Sequence, residues 1–380
     1  MKICFLTNVV HPSKGGSTLY FFNISQELQK QGHEVTVVCT QGLSVAPLAV
    51  AKTLYVTKIR AWRFSSLLQT FLFGLQAFMK IRRQEFDIYC YESGYLGFWV
   101  WLFRLAQKRP LIAFSMRYGW RMLRLNFRGR FKNLKLFYLA WEVLFAVQEV
   151  IDVIFSDKIV VFSPAAKQIW ETYKIKPKRI ELANFGINLD IFYSTPKNEQ
   201  LLASLGWKPT DKIVLYIGHL EALRQVDVLL ASFAELRKNI DLSLKLLIVG
   251  SGEQAANLKG IADNLDLGGS IKFIPHTDDQ HELAKYYNLG DIFVSPEVPG
   301  TVVLLAAACG LPVIADTHTR GHLNAVNEAV LRTFIDIGGL NPQSISKTCI
   351  RLLSDPELLS KISQSEIAAT QVCSCARASA

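Results

Sequence analysis

Ser295-Pro-Glu-Val-Pro-Gly-Thr-Val-Val-Leu-Leu-Ala-Ala-Ala-Cys-Gly-Leu-Pro-Val-Ile-Ala315 is the stretch on which the fold turns. It reads as the end of a strand at Phe293–Val294, a Pro/Gly loop, a small-residue helix from Val302 to Cys309, and a strand at Pro312–Ala315. Glu297 and the amides of Gly300, Thr301 and Val302 then fall at a helix N-terminus. Free N–H groups and the positive end of the helix dipole meet there and favour a phosphate. Glu297 is the carboxylate of this neighbourhood, available to hydroxyl groups. By itself the segment reads equally well as an ordinary strand–loop–helix crossover.

Upstream of it the same alternation repeats. Lys212–Gly218 predicts a strand, Val226–Asn239 a helix, and Ser243–Gly250 a strand ending in Gly-Ser-Gly. A helix at Gln254–Leu265, a strand at Ser270–Ile274 and a helix at His281–Leu289 lead back to Phe293. The first half follows the same grammar. Lys2–Val10 is a continuous apolar run of the kind buried in a parallel sheet. It is followed by the loop His11-Pro-Ser-Lys-Gly15-Gly16-Ser17, a helix over Thr18–Gln31 and a strand at Glu34–Thr40. Further strands are expected at Thr53–Ile59, Asp87–Tyr91, Leu111–Met116, Lys158–Phe162 and Arg179–Leu182. Gly186, Asn188, Asp190, Pro196 and Asn198 mark a turn-rich linker. The expected division is therefore a first α/β domain over 1–185, a linker at 186–198, a second domain over 199–365 and a short tail at 366–380.

Composition bounds the partners. Half of the 380 residues are apolar and 19% are charged, so two domains can each bury a core. The net charge is +10, and between Ser93 and Trp141 ten Lys/Arg stand with no Asp or Glu, interleaved with Trp99, Trp101, Trp120, Phe127, Phe131, Phe137 and Tyr138. A basic, aromatic stretch of this kind fits an anionic membrane surface, nucleic acid or a polyanionic substrate, or a solvated helix face. No nucleic-acid motif accompanies it. The apolar runs Tyr95–Phe103 and Leu134–Phe155 are too short or carry Glu142, Glu149 and Asp152, so no membrane span and no secretory leader are expected. Seven scattered cysteines read as buried, reduced thiols of a cytoplasmic chain.

Two glycine clusters invite a dinucleotide reading, and neither carries it through. Gly15-Gly16 is adjacent rather than spaced, and the following strand ends at Thr40 without an acid. Gly250-Ser-Gly252-Glu-Gln-Ala255 has the spacing, but the next strand ends Phe273-Ile-Pro-His276 with no carboxylate for a ribose.

The order of motifs from Lys212 onward is specific. Ile213-Val-Leu-Tyr-Ile-Gly218-His219-Leu-Glu-Ala-Leu-Arg224-Gln-Val-Asp227 resembles the donor-domain opening of the family 4 retaining glycosyltransferases of the GT-B fold. Leu247-Ile-Val-Gly-Ser-Gly-Glu is similar to that family's next strand and turn. Ile180-Glu-Leu-Ala-Asn184-Phe-Gly186-Ile-Asn-Leu-Asp190-Ile-Phe192 resembles its linker signature, and Gly32-His33-Glu34-Val35 agrees too. The resemblance spans nearly the whole chain. It implies an α/β architecture with two Rossmann-like, doubly wound domains facing a central cleft.

It also implies roles. Gly15 and Gly16 match the glycine loop near the donor diphosphate, and Gly218 the turn that opens the donor domain. Glu297 matches the first of two glutamates spaced eight apart, which binds hydroxyls of the transferred sugar. Gly300, Thr301 and Val302 match the amides that hold that sugar and the diphosphate. Ile274, Pro275 and His276 match the segment lying against the nucleotide base. The family needs no metal, and no Asp-x-Asp motif is present, so no cofactor is expected. The implied substrates are a UDP- or GDP-sugar donor and a glycan or lipid-linked acceptor for cell-surface polysaccharide or glycolipid, with no nucleic acid. The 93–141 segment would rest on the cytoplasmic membrane face.

Departures from the family pattern fall in the donor site. Its second glutamate falls on Leu305, which can accept no hydrogen bond. A charged hydrogen bond is worth about 1.5–3 kcal/mol, so nucleotide affinity should fall about ten- to a hundredfold. The family's Arg and Lys, which neutralise the leaving diphosphate, fall on His219 and Arg224, and its following glycine on Gln225. The histidine near the reacting sugar falls on Arg117. Two readings remain: a working retaining transferase with a re-cut donor site, or an inactive scaffold that binds a nucleotide or a partner.

Overall fold

The apolar runs become strands and the segments of helical period become helices in the computed structural model, which describes residues 1–7, 16–40, 52–56, 65–93, 98–115, 147–296, 300–315 and 328–374. Two units result, residues 1–186 and 187–374.

In the first unit, seven strands are described: β1 Lys2–Leu6, β2 Glu34–Thr40, β3 Lys52–Val56, β4 Ile88–Glu92, β5 Leu111–Phe114, β6 Lys158–Val161 and β7 Ile180–Leu182. They pair in parallel in the order β3-β2-β1-β4-β5-β6-β7, with Ile3 opposite both Val35 and Ile88. The chain moves outward from β1 to β3 and then returns to β4 on β1's other side. The helix Gly16–Lys30 begins two residues earlier than expected, at a glycine with φ +48°. Its Tyr20 and Phe21 pack with Phe5, Phe114, Phe162 and Phe185 in a buried aromatic cluster, ring centroids 4.8–6.5 Å apart. Edge-to-face and tilted pairs outnumber stacked ones, as ring quadrupoles favour.

The second unit holds β8 Lys212–Ile217, β9 Leu244–Val249, β10 Ile271–Ile274, β11 Ile292–Ser295, β12 Val313–Ala315 and β13 Ile335–Asp336, all parallel, in the order β10-β9-β8-β11-β12-β13. On the helix Val226–Asn239 the residues Val226, Leu229, Leu230, Phe233 and Leu236 form one buried stripe at helical spacing. They pack on Val214, Leu246, Ile248 and Ile314 of the sheet. The helix Thr301–Ala308 is buried almost all round, and its run of three alanines lets neighbours approach closely. Gly310 (φ +77°) ends that helix in the left-handed conformation.

The structure adds packing detail at two of the expected boundaries. The stretch expected as a linker is built into the second unit from Ile187 onward, because its apolar residues and backbone find partners there. Ile187 and Phe192 are buried, and the Ile187 N–H donates to the Cys373 carbonyl (2.8 Å). Thr195 N–H donates to Asn288 Oδ1 (2.8 Å), and Lys197 Nζ pairs with Asp291 (2.6 Å). At the start of the expected tail, residues 366–370 complete the helix Pro356–Thr370. Fully buried Glu366 anchors it, accepting from the Val313 N–H at 2.9 Å. Burial pushes the Glu366 carboxyl well above the usual carboxylate range, and the Val313 bond opposes that.

The six described cysteines are free thiols and buried. Burial alone pushes Cys39 up to about 11 and Cys90 to about 12, so the unreactive thiol form is favoured. Among the described residues no helix is long and apolar enough to cross a membrane, and no cluster of potential metal ligands occurs.

Candidate functional site

Open parallel sheets take their ligands beyond the carboxyl ends of the strands, where the winding direction reverses. In the second unit that reversal lies between β8 and β11. The turns that follow β8, β9 and β10 and the helix start at Gly300 that comes after β11 stand side by side there.

The β8 and β9 turns are laced main chain to main chain. Gly218 N–H donates to the Val249 carbonyl (3.1 Å), Leu220 N–H to Ser251 O (3.0 Å), and Gln254 N–H to Leu220 O (2.9 Å). A Cβ on Gly250 would lie 2.0 Å from the Gly218 carbonyl oxygen, and one on Gly252 2.2 Å from that of Leu220. These two glycines are required by this close approach, a use of Gly-Ser-Gly that needs no dinucleotide. The Tyr216 hydroxyl donates to the His219 carbonyl (3.0 Å) and fixes the turn. His219 itself is exposed, and half-buried Arg224 ends a short 3-10 turn, Ala222–Arg224. Gln225 follows with φ +49°, ψ +40°, opening the helix Val226–Asn239 with no side-chain cap.

After β9, Ser251 Oγ accepts from the His276 N–H (3.1 Å), and Gly250 N–H donates to the Ile274 carbonyl (2.9 Å). Pro275 and His276 are exposed and Ile274 is half-buried. After β11, exposed Gly300 caps the helix Thr301–Ala308 with no side-chain cap. Thr301 is buried, and the Val302 carbonyl accepts from the Tyr287 hydroxyl (3.1 Å). Leu305 is only 3% exposed. Exposed main chain at a helix N-terminus, a cation at Arg224 and an imidazole at His219 make this edge suited to an anionic ligand.

Thus Gly218, His219, Arg224, Ile274, Pro275, His276, Gly300, Thr301, Val302 and Leu305 share the second unit, on or beside the turns at one edge of its sheet. Gly16 belongs to the first unit. Gly15, Glu297 and Arg117 lie outside the described residues.

Sequence reasoning missed a second polar feature, at the strand ends of the first unit. Glu149 Oε1 accepts from Ser93 Oγ (3.2 Å) and Ser115 Oγ (3.1 Å), and Trp170 Nε1 donates to Ser115 Oγ (3.0 Å). Thr7 Oγ1 donates to Glu92 Oε2 at 3.2 Å. Both carboxylates are buried, 2% exposed. Glu92 immediately precedes the run that contains no acid, whereas Glu149 lies beyond Glu142, and nothing in its sequence position sets it apart.

Comparison with known proteins follows the same division. Residues 14–191 match the model for "Glycosyltransferase Family 4", and residues 197–368 that for "Glycosyl transferases group 1". The chain is similar to a D-inositol 3-phosphate glycosyltransferase of Thermobispora bispora, 29% identical over 228 residues, 57% of this chain. It spans 52% of that relative's length. Among solved structures, sucrose-phosphate synthase of Thermosynechococcus elongatus superposes with a TM-score of 0.74 at 19% identity, covering 98% of this chain and 94% of that one. HepE of Anabaena, in complex with UDP, superposes at 0.72 with 15% identity, covering 100% and 97%. With one family model on each unit and these two-domain α/β neighbours, the chain belongs to the family 4 glycosyltransferases of the GT-B fold.

Proposed function

We propose that the protein transfers a hexose from a nucleotide-sugar to a glycan or lipid-linked acceptor, with retention at the anomeric carbon and without a metal. The observation that supports this best is the placement of the β8, β9 and β10 turns and the Gly300–Thr301 helix start side by side at the second unit's switch point, with Arg224 and His219 among them. On this reading the helix amides and Arg224 hold the diphosphate. The departing β-phosphate oxygen takes the acceptor's proton as the new glycosidic bond forms on the same face. Arg224, His219 and the amides stabilise the charge that develops. Glu297 binds the transferred sugar, and Gly15, Gly16 and Arg117 take the roles that the family pattern gives them. HepE, of the same fold, holds UDP, which supports a uridine nucleotide as the first donor to try.

The basic aromatic segment is assigned to an anionic membrane surface carrying the acceptor, each Lys or Arg near anionic lipid adding about 1 kcal/mol. Arg104 is already ion-paired with Asp157 and is not counted toward that surface. A second reading, an inactive scaffold, is favoured by one observation: Leu305 lies buried where the family pattern has a ribose-binding glutamate.

The test is release and transfer of labelled sugar from UDP- and GDP-sugars with EDTA present, with and without anionic vesicles containing lipid-linked acceptor. The expected outcome is slow donor hydrolysis, faster transfer on vesicles that sediment with the protein, and a product whose anomeric configuration matches the donor's. Absence of turnover from every donor sinks the enzyme reading, and inversion sinks the mechanism.

A further inference from the structure

The helix Gln280–Tyr287, which joins β10 to β11, ends on a tyrosine bonded to the helix Thr301–Ala308. Tyr287 is fully buried, and its ring packs on Phe192 and Phe293, centroids 6.0 Å from each. Burial pushes the phenol well above its ordinary pKa, so it keeps its proton and donates. The acceptor is the Val302 carbonyl, 3.1 Å from the hydroxyl. A carbonyl in the first turn of an α-helix is also served by the N–H four residues on, so the Tyr287 bond is not needed to satisfy it. What the bond fixes is the place of that turn. Gly300 brings no side-chain cap to the helix, and the N–H groups of a first turn have no acceptor within it. Half-buried Val302 thus joins a carbonyl held by Tyr287 to an N–H that points out of the helix start. Neighbouring Tyr286 makes the same kind of bond elsewhere, its hydroxyl donating to Glu282 Oε1 of its own helix (3.2 Å).

We propose that Tyr287 is a positioning residue of the donor site: through the Val302 carbonyl it sets the first turn of the helix Thr301–Ala308, so that the N–H groups there meet the β-phosphate. It touches no substrate itself. The aromatic packing fixes the phenol, the phenol fixes the turn, and the turn aims the amides before the nucleotide arrives. Donors that need not move to meet developing charge stabilise it best. The inference rests on the donor-site reading above.

Titration calorimetry on the full chain with UDP and UMP, and with GDP and GMP, isolates the share of binding that belongs to the β-phosphate. In the parent, the diphosphate of at least one pair should bind more tightly than its monophosphate. Tyr287→Phe should lower that ratio about three- to tenfold, the scale of one hydrogen bond, while the monophosphate's affinity stays within about twofold. Tyr286→Phe, which loses a bond from the same helix end but none to the donor helix, should keep the parent's ratio within about twofold. The Val302 carbonyl keeps its helical partner and Glu282 keeps Thr277, so both variants should fold, with urea midpoints near the parent's. An unchanged ratio in Tyr287→Phe, an equal loss for mono- and diphosphate, or no preference for the diphosphate in the parent overturns the inference and leaves the donor site standing. A ratio that falls as far in Tyr286→Phe overturns it too, since the loss then comes from the helix end at large. If the parent binds none of the nucleotides, the donor-site reading falls and this inference with it.

Discussion

The two units use one winding scheme and finish their strands in opposite ways. In the second, the turns beyond β8 and β9 are laced by three main-chain hydrogen bonds, and two glycines let the backbones touch. In the first, the ends of β1, β4 and β5 are fixed by side chains, with hydroxyls bonded to Glu92 and Glu149 and the Trp170 indole bonded to Ser115. Main-chain lacing fixes the turns without side-chain charge and leaves the edge to the cation of Arg224 and the Gly300 helix start. Side-chain anchoring instead sets two buried carboxyl groups at the first unit's edge. The main-chain arrangement suits a fixed anionic ligand.

The largest effect should come from breaking the lacing. An alanine at Gly252 places Cβ 2.2 Å from the Leu220 carbonyl oxygen and 2.5 Å from its carbon, both backbone atoms that cannot rotate away. Gly252→Ala should cost on the order of 3 kcal/mol in urea unfolding, the upper end of overpacking losses. Gly260, inside the helix Ala255–Asn264, meets nothing within 4 Å. Gly260→Ala should gain about 0.5–1 kcal/mol from helix propensity. If the two variants behave alike, close approach is not what the glycines of the turn are for.

Next in size is the side-chain anchor of the first unit. Ser115 both donates to Glu149 and accepts from Trp170. Ser115→Ala leaves the buried Trp170 Nε1 without that acceptor and should cost about 1–3 kcal/mol. The Trp170 environment should change with it, so tryptophan fluorescence provides a second readout. A loss below 0.5 kcal/mol, the range of ordinary surface substitutions, would mean that packing alone holds these strand ends.

Regular elements were legible because burial imposes a period. The stripe Val226, Leu229, Leu230, Phe233, Leu236 is visible in sequence, and the helix it forms has the expected ends, Val226–Asn239. The turns of the candidate site were legible through their glycines, whose placement at strand ends follows from sheet topology. The packing of the linker was not legible because Gly186, Asn188 and Pro196 signal turns whether or not the turn is packed. What packs it, Lys197 on Asp291 and Ile187 on Cys373, joins residues 94 and 186 positions apart, and no local pattern carries that. Glu366 was invisible for the same reason, since a polar residue on a surface-type helix looks identical whether or not it finds a backbone N–H to serve. Ser251, which steadies His276, sat in plain view between two glycines that drew the attention.

The smallest effect sharpens the rule that the second unit's edge is built from backbone freedom. Gln225 breaks that rule: it holds φ +49° at the start of the helix Val226–Asn239, beside Arg224, and its side chain makes no cap bond. A side chain in this conformation costs roughly 1–2 kcal/mol relative to the right-handed region. Glycine avoids that cost but loses about 0.5–1 kcal/mol of chain entropy on folding. Gln225→Gly should therefore stabilise the fold by about 0.5 kcal/mol, read as a rise in the urea midpoint at unchanged m-value. Gln225→Ala, which keeps a Cβ and removes only the amide, should leave the midpoint where it is. Should the alanine lose stability and the glycine lose it too, the glutamine amide must be held by a partner. The strain at this position would then be compensated locally, and the edge beside Arg224 would be anchored by a side chain, as the first unit's edge is.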